Sequence, residues 1–180
     1  MNRNIRSYEG IAVKDIILGG QDGLVEVIGL ILGVGTATGS SKIILIAGLS
    51  TAFVEAFSMG AVAYTSSKAF EEYVKGPKGK KSRLKGSFIA PFFDSTLVFI
   101  ANLLGSIIPL IPFFYFGLGK ATIIALILGL TLLFFAGAIG GKISRIEHWI
   151  KSGLRVLFIG TGAAVLGYLA GLWLKTYFSV

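Results

Sequence analysis

The sequence predicts an all-α membrane protein with five transmembrane helices in a single domain covering residues 1–180. Only 14% of the residues are charged, against about 25% in soluble globular domains, and the mean hydropathy is +0.80. Apolar segments long enough to cross ~30 Å of hydrocarbon as helices occur five times, and they lack the alternating polarity of barrel strands. The segments lie at 16–39, 43–66, 88–116, 121–141 and 153–177.

The first segment carries an acidic stripe on one helical face. Asp15 and Glu26 fall within about 40° of Asp22 when residues are projected at 100° intervals. Gly29 and Gly33 continue the same face, and small residues at this spacing allow helix backbones to approach closely in lipid. An Asp at the centre of a helix costs roughly 2.5–3.5 kcal/mol when the helix inserts into the membrane. We therefore expect the acidic stripe to face another helix and not lipid.

The second segment combines a carboxylate with a thioether on one face, where Thr51, Glu55 and Met59 follow each other at one-turn intervals. Carboxylate oxygens alone suit Mg²⁺ or Ca²⁺, and an added sulfur shifts the preference toward a first-row transition metal. Fe²⁺ fits best, with Mn²⁺, Co²⁺ and Zn²⁺ as alternatives. The predicted ligands along a cation path are Asp15, Asp22, Glu26, Glu55 and Met59.

These residues also have structural interpretations. Met59 can fill a gap between helices. Asp15 can mark the cytosolic interface, and Glu26 can pair with a polar group inside the bundle. Asp22 and Glu55 lie well inside apolar runs, where a structural role explains a carboxylate less readily.

The connection between the second and third segments is predicted to be a basic cytosolic loop over residues 67–87. Gly76 and Pro77 disfavour regular structure there. Its Lys and Arg residues either determine topology or contact anionic lipids. Glu71 and Glu72, at its start, form either a weak metal-collecting site or a solvated helix end.

The third segment should end or kink near its outer end, because Pro109 and Pro112 interrupt helical hydrogen bonding. Asp94 lies within two turns of the cytosolic end, where it can reach the interface or a wet vestibule. Asn102 lies deeper, and neither residue receives a definite role from the sequence.

The fourth and fifth segments have few polar residues and two pairs of glycines at the spacing that favours close helix packing. His148 stands beside Trp149 in the connection between them, which is typical of a membrane interface. The two glycine pairs are Gly137/Gly141 and Gly167/Gly171.

The basic residues predict a cytosolic N-terminus and a C-terminus outside the cell or in a lumen. Fourteen of the seventeen Lys and Arg residues lie in the N-terminal lead, in the connection after the second segment, or in that after the fourth. The N-terminal lead lacks the cleavage site of a signal peptide. The compact chain favours the plasma membrane of a prokaryote over a vacuole. The remaining three basic residues, on the opposite side, are Lys42, Lys120 and Lys175.

From Asp15 to about Leu174 the sequence resembles the vacuolar iron transporter (VIT) family. The resemblance rests on the phrases DIILGGQDGL, AGLSTAFVEAFSMGAVAYTSSKAFEE and LLGSIIPLIPFF, and on GLRVLFIGTGAAVLGYLAG in the last segment. The aspartate–glycine and serine–methionine–glycine phrases are specific in combination, because they occur in order on adjacent spans.

The resemblance implies a homodimer of five-helix protomers, with an ion path lined by the first two helices of each. It implies export of Fe²⁺ or Mn²⁺ from the cytosol in exchange for protons, with Asp15 and Asp22 as pathway acids and Met59 as sulfur ligand. Glu55 matches an acid found one turn before the methionine in some members. In other members the acid lies where this chain has Thr51.

The chain departs from plant-type members of the family, which insert a long glutamate-rich cytosolic domain between the second and third spans. The connection here is short and basic, with only Glu71 and Glu72 to offer. High-affinity metal capture by a dedicated domain is therefore not expected. Glu26 lies outside the family pattern and is predicted from helix geometry alone.

Asp22 and Glu55 are the predicted proton-coupling groups. A carboxyl group in a medium of low dielectric holds its proton to higher pH than in water, and a bound divalent cation displaces that proton. Metal loading would then release protons, and protonation from an acidic side would release the metal.

The sequence contains no hydrolase triad, nucleotide-binding loop, dinucleotide fingerprint or Cys, so an enzyme is not predicted. The expected partners are a divalent metal ion, membrane lipids and a second copy of the chain, with no nucleic acid and no resident cofactor. Carboxylate and thioether ligands do not rank Fe²⁺ against Mn²⁺. The alternatives are a transporter or channel for another cation, and a non-transporting scaffold whose acids pair within the bundle.

Overall fold

The computed structural model is all-helical and describes residues 3–75, 90–144 and 148–178. Five helical stretches in these ranges are long and apolar enough to cross a membrane, so the prediction of five spans is confirmed and the chain is an integral multi-pass membrane protein. The helices are α1 (Arg3–Thr38), α2 (Ser41–Lys75), α3 (Ala90–Ile107), a 3₁₀ turn (Ile108–Leu110), α4 (Pro112–Tyr115), α5 (Leu118–Ser144) and α6 (Trp149–Phe178).

The third span is interrupted near its C-terminal end, as the prolines predict. The α-helix α3 stops at Ile107, Pro109 lies in the first turn of the 3₁₀ segment, and Pro112 lies in the first turn of α4. A proline is tolerated in a first turn because its missing N–H has no intrahelical acceptor there. Leu110 and Phe113, which follow the two prolines, are buried in the bundle.

The second helix is longer than its apolar segment, and the predicted loop boundary at residue 67 is wrong. Residues 67–75 continue α2, because this stretch contains Lys, Ala and Glu and meets no helix breaker before Gly76. The rest of the predicted loop, 76–87, lies outside the described residues. Similarly, α1 begins at Arg3, well before its apolar segment starts at residue 16.

The central helix of the bundle is α1, which packs against α2, α3, α5 and α6. On either side of it, α2 packs on α3 and α5 packs on α6. Two adjacent faces of α1 supply its apolar contacts. Val27 and Ile31 join Ile44 of α2 in one cluster, whereas Leu24 and Ile28 join a second cluster formed with α5 and α6.

Two of the predicted glycine pairs pack against each other across the α1–α6 contact. A Cβ atom added to Gly167 would overlap the carbonyl oxygen of Gly29, and one added to Gly171 would overlap that of Gly33. The backbones of α1 and α6 can approach this closely only because these positions carry no side chain. Near the start of α6, Ser152 lies against Gly137 and Gly141 of α5.

Candidate metal pathway

Seven polar side chains of α1, α2 and α3 group at two heights along α1. We call them the N-terminal level, formed by Asp15, Asp94 and Ser67, and the central level, formed by Asp22, Glu26, Glu55 and Asn102. Each level joins residues of α1 to residues of α2 and α3.

At the N-terminal level a buried aspartate of α1 meets the ends of two other helices. Asp15 is only 7% exposed and interacts electrostatically with Asp94 of α3. Asp94 in turn accepts a hydrogen bond from Ser67 Oγ of α2 at 3.4 Å. The Lys14 Nζ atom lies 3.9 Å from Asp15 Oδ1, but the Lys14 side chain is 74% exposed, and such pairs contribute about 0–1 kcal/mol. Lys14 therefore compensates the two carboxylates only weakly.

At the central level Asp22 faces α3. Its Oδ2 atom accepts a hydrogen bond from Asn102 Nδ2 at 3.4 Å, near the outer limit for such a bond. Asn102 is completely buried, and its Oδ1 atom has no hydrogen-bond partner among the described residues. A buried acceptor without a partner costs roughly 1–3 kcal/mol.

Glu26 lies one turn beyond Asp22 and close enough to interact electrostatically with both Glu55 of α2 and Asp22. Its Oε2 atom is buried, and nothing in the described part of the chain donates a hydrogen bond to it. Carboxylates grouped this way repel one another when charged and are stabilised by a cation or by protons.

Glu55 is half-buried beside a shallow cavity of about 230 Å³ that it lines with Ser50, Thr51 and Val54. Met59, one turn further along α2, is also half-buried. The adjacent Gly60 lies directly against α3, where an added Cβ atom would stand 3.2 Å from Phe99 Cβ. This contact holds the Glu55–Met59 turn of α2 beside α3.

A close crossing of α1 and α3 places Asn102 opposite Asp22. A Cβ atom on Gly19 would stand 2.5 Å from the carbonyl oxygen of Val98, and one on Gly23 would overlap that of Asn102. The acidic stripe and the Gly29/Gly33 pair therefore face different neighbours, because Asp22 reaches α3 whereas the glycines contact α6.

Glu71 and Glu72 lie in the last two turns of α2. Glu72 is exposed in the last turn, which matches a solvated helix end. The backbone of Glu71 is part of α2, but its side chain lies outside the described residues.

The predicted ligands do not converge on one metal centre within a single chain. Across residues 3–75, 90–144 and 148–178, no three Asp, Glu or His side chains are grouped closely enough to hold an ion. The acids instead follow one another along the length of α1, with Glu55 contributed from α2.

Comparison with known families decides the classification. The profile of the VIT family matches residues 13–85 and 83–172, which takes in the greater part of all five spans. The chain belongs to the VIT family. The resemblance seen in the sequence is thereby confirmed. Membership of this transporter family indicates membrane metal transport, which is consistent with the expectation that the chain is not an enzyme.

The VIT-family chain is also similar to an uncharacterized protein of the archaeon Methanocaldococcus jannaschii. The two sequences are 27% identical over 169 residues, which cover 86% of this chain and 85% of the archaeal one. The similarity therefore extends over most of both proteins.

Sequence reasoning on this VIT-family chain gave no role to Asp94 or Asn102 and placed Ser67 in a loop. Asp94 interacts with Asp15 and Asn102 contacts Asp22, both predicted path residues, and Ser67 donates a hydrogen bond to Asp94. The available signal was a polar residue inside an apolar run, as in LVFIANLLG around Asn102. That signal does not reveal which neighbouring helix the residue faces, so it gave these residues no partner.

Proposed function

We propose that this protein exports Fe²⁺ or Mn²⁺ from the cytosol in exchange for protons, as a homodimer in the plasma membrane of a prokaryote. The proposal rests on the Glu26 Oε2 atom, which has no hydrogen-bond partner among the described residues and lies near Asp22 and Glu55 in the middle of two spans. A buried carboxylate needs a compensating charge, and a divalent cation supplies it. Family membership in VIT supports metal as the cargo.

The proposed cargo is a first-row transition metal because the ligands include a sulfur atom. Met59 lies one turn from Glu55 on α2, so a thioether is available beside the carboxylates. A thioether is a weak ligand, which favours release of the ion at the far side. Carboxylate oxygens with one sulfur suit Fe²⁺ and accept Mn²⁺.

Proton exchange follows from the same carboxyl groups. Protons on Asp22 and Glu55 neutralise the two carboxylates, and one bound divalent ion neutralises the same two negative charges. Binding of the ion from the cytosol therefore expels protons, and protons from a more acidic compartment displace the ion. The cycle needs no nucleotide, consistent with the lack of a phosphate-binding loop.

A second copy of the chain is proposed to complete the path along α2. Ser50 and Ser58 are exposed in the middle of this span, on the side that carries Thr51 and Glu55. Hydroxyl and carboxyl groups facing lipid are unfavourable, whereas a partner helix can cover them. A dimer through this face would bring further carboxylates to the central level, where the described residues of one chain place no three acids close enough together to hold an ion.

The basic residues favour an orientation with the N-terminal level on the cytosolic side. Asp15 and Asp94 would then be the first carboxylates that an ion meets inside the membrane. Glu71 and Glu72 at the end of α2 are proposed to collect metal weakly at the same side, in place of the cytosolic domain that longer relatives carry.

The test is Fe²⁺ and Mn²⁺ flux into proteoliposomes with an acidic interior, at fixed membrane voltage. We expect flux to follow the pH gradient in the wild type, to vanish in Asp22→Asn, and to persist in Thr161→Ala. Thr161 is a matched control because it is exposed on α6 and its hydroxyl donates only to the Leu157 carbonyl, at 2.9 Å. Flux indifferent to the pH gradient would exclude proton exchange, and the ratio of the two metals would give the selectivity.

One observation favours a scaffold as the second candidate, since the Asn102–Asp22 hydrogen bond shows that an acid of the path can pair within the bundle. A transporter should gain thermal stability when Fe²⁺ binds, and Asp22→Asn or Met59→Ala should abolish that gain. A scaffold would show no metal-dependent rise in melting temperature, and Asp22→Asn would leave it equally stable or more stable. Stabilisation and flux with a different metal would instead indicate a carrier for another cation.

A further inference from the structure

Asn102 is a fully buried amide in the middle of α3, beside a path that α1 and α2 were expected to form alone. Its Nδ2 atom lies 3.4 Å from Asp22 Oδ2. Its Oδ1 atom is buried too and has no partner in the part of the chain that the structure describes. The amide therefore brings an unused acceptor next to an acid of the proposed path.

Helix packing alone does not account for an amide at this position. A single hydrogen bond of 3.4 Å is weak, and the unpartnered oxygen opposes folding. An apolar side chain of similar size would fill the same volume without leaving an acceptor unsatisfied. Burial of the amide is explained if its oxygen acquires a partner during the transport cycle.

The amide can present that oxygen to Asp22 by turning half a revolution about its Cβ–Cγ bond. The turn exchanges Oδ1 with Nδ2 and breaks only the long bond to Asp22, because Oδ1 makes no other bond among the described residues. Two oxygens 3.4 Å apart can each lie roughly 2.1 Å from one shared ion, with an angle at the ion of roughly 110°. That angle is close to the tetrahedral value.

We propose that Asn102 is a ligand of the transported ion, which its side-chain carbonyl oxygen and the Asp22 carboxylate bind together between α1 and α3. The inference rests on the proposed function and adds a third helix to the path. A neutral oxygen ligand holds Mn²⁺ or Fe²⁺ without adding a negative charge that must be neutralised when the ion leaves. The carbonyl oxygen can also replace one water molecule of the ion's hydration shell when the ion moves from water into the path.

The crossing of α1 and α3 gives this pair a defined geometry. Gly19 and Gly23 let the α3 backbone approach so closely that an added Cβ atom would meet the carbonyl oxygens of Val98 and Asn102. Ser106, 1% exposed, donates a hydrogen bond to the Asn102 backbone carbonyl at 3.0 Å. Asn102 is therefore held opposite Asp22 by backbone contacts that do not depend on its own side chain.

The experiment measures Mn²⁺ affinity by calorimetry on the full-length protein, with the melting temperature of each variant recorded without metal. Asn102→Leu should raise the Kd for Mn²⁺ about tenfold or more while its metal-free melting temperature stays equal to or above that of the wild type. Thr122→Ala is the control, since it removes a half-buried hydroxyl on α5 that donates to the Leu118 carbonyl oxygen at 2.8 Å, and its Kd should not change. Asn102→Ser, whose shorter side chain withdraws the oxygen, replaces Asn102→Leu if the latter does not fold.

Asn102→Asp separates a ligand from a residue that only donates a hydrogen bond to Asp22. The aspartate keeps an oxygen and loses the donor, so it should bind Mn²⁺ at least as tightly as the wild type. An affinity as low as that of Asn102→Leu would overturn the ligand role. Equal losses in Asn102→Leu and Thr122→Ala would overturn it as well, because they would indicate a general effect of altered packing.

Failure of this inference can be told apart from failure of the proposed function. If the wild type binds and transports Mn²⁺ or Fe²⁺, and Asn102→Leu and Asn102→Ser keep its Kd, the ligand role alone is wrong. If the wild type binds neither metal, the ligand role and the proposed function are both wrong.

Discussion

At the residue scale, the central level contains polar atoms that find no hydrogen-bond partner among the described residues. Asp22 accepts one long hydrogen bond, whereas the buried Oε2 atom of Glu26 accepts none from the described residues. A buried carboxylate oxygen without a partner lowers the stability of the metal-free protein. Because a bound cation would supply the missing partner, the same oxygen makes cation binding more favourable. Binding and stability are therefore expected to change in opposite directions when a carboxylate here is neutralised.

Replacing Glu26 with Gln should raise the melting temperature of the metal-free protein and weaken metal binding. The substitution removes a charge that is repelled by Glu55 and Asp22, which corresponds to roughly 1–3 kcal/mol of stability. The same loss of charge should raise the Kd for Mn²⁺ by roughly tenfold or more. Thermal unfolding and calorimetry on the purified protein measure the two effects.

Lys120→Gln is the control for Glu26→Gln, because it also removes one charge but lies exposed at the start of α5. Its stability should stay within about 0.5 kcal/mol of the wild type, with an unchanged Kd. If Glu26→Gln lowered the melting temperature without metal, Glu26 would have a partner in the assembled protein, and its role would be structural.

At the scale of elements, the approach of α1 to its neighbours is set by glycines at different depths. Gly19 and Gly23 bring α3 close at the central level, and Gly29 and Gly33 bring α6 close further along. The acids on the same helix therefore meet whichever helix crosses at their own height. This explains why Asp22 contacts Asn102 although the glycine pair on the same face contacts α6.

Gly23→Ala should destabilise the protein by about 1–3 kcal/mol, because the new methyl group would overlap the Asn102 carbonyl oxygen. The matched control is Gly20→Ala on the same helix, where the added Cβ atom would stand an ordinary 3.6 Å from the Ala101 carbonyl oxygen. That variant should be neutral or gain up to about 1 kcal/mol from helix propensity. The comparison uses chemical or thermal unfolding in detergent. Equal stability of the two variants would contradict the close crossing of α1 and α3.

At the scale of the whole molecule, the outward face of α2 distinguishes a dimer from a monomer. Val54 lies beside Glu55 and is 69% exposed, as is Leu166 on α6. Large apolar residues are exposed on several helices, which suits contact with lipid, but on α2 they alternate with Ser50, Thr51 and Ser58. The proposed dimer covers this mixed face and leaves Leu166 in lipid.

Single-cysteine crosslinking tests the dimer directly, since the natural chain has no Cys. Oxidation in native membranes should crosslink Val54→Cys into a covalent dimer and leave Leu166→Cys monomeric, although the two positions are equally exposed in one chain. Gel electrophoresis without reductant measures the outcome. Crosslinking at Leu166 but not at Val54 would place the interface on α6 and remove α2 from it.

The sequence was sufficient for features that depend on neighbouring residues in the chain. Pro109 and Pro112 predicted the end of α3, and the apolar segments predicted five spans. The family phrases predicted membership of the VIT family, which the match of the family profile confirms. The boundary at residue 67 was missed because hydropathy falls there before helix propensity does, so α2 continues as a polar helix to Lys75.

The sequence by itself determined the helices, their order, the class of protein and the positions of the acids along each helix, because helical periodicity, hydropathy and proline geometry act within one segment. Only the tertiary structure decided that Asn102 meets Asp22, that Glu26 lies near Glu55, and that Ser67 donates to Asp94. Those pairs depend on the height at which two helices cross. The crossing is set by the fit of glycines and backbone between distant segments, which no local pattern contains.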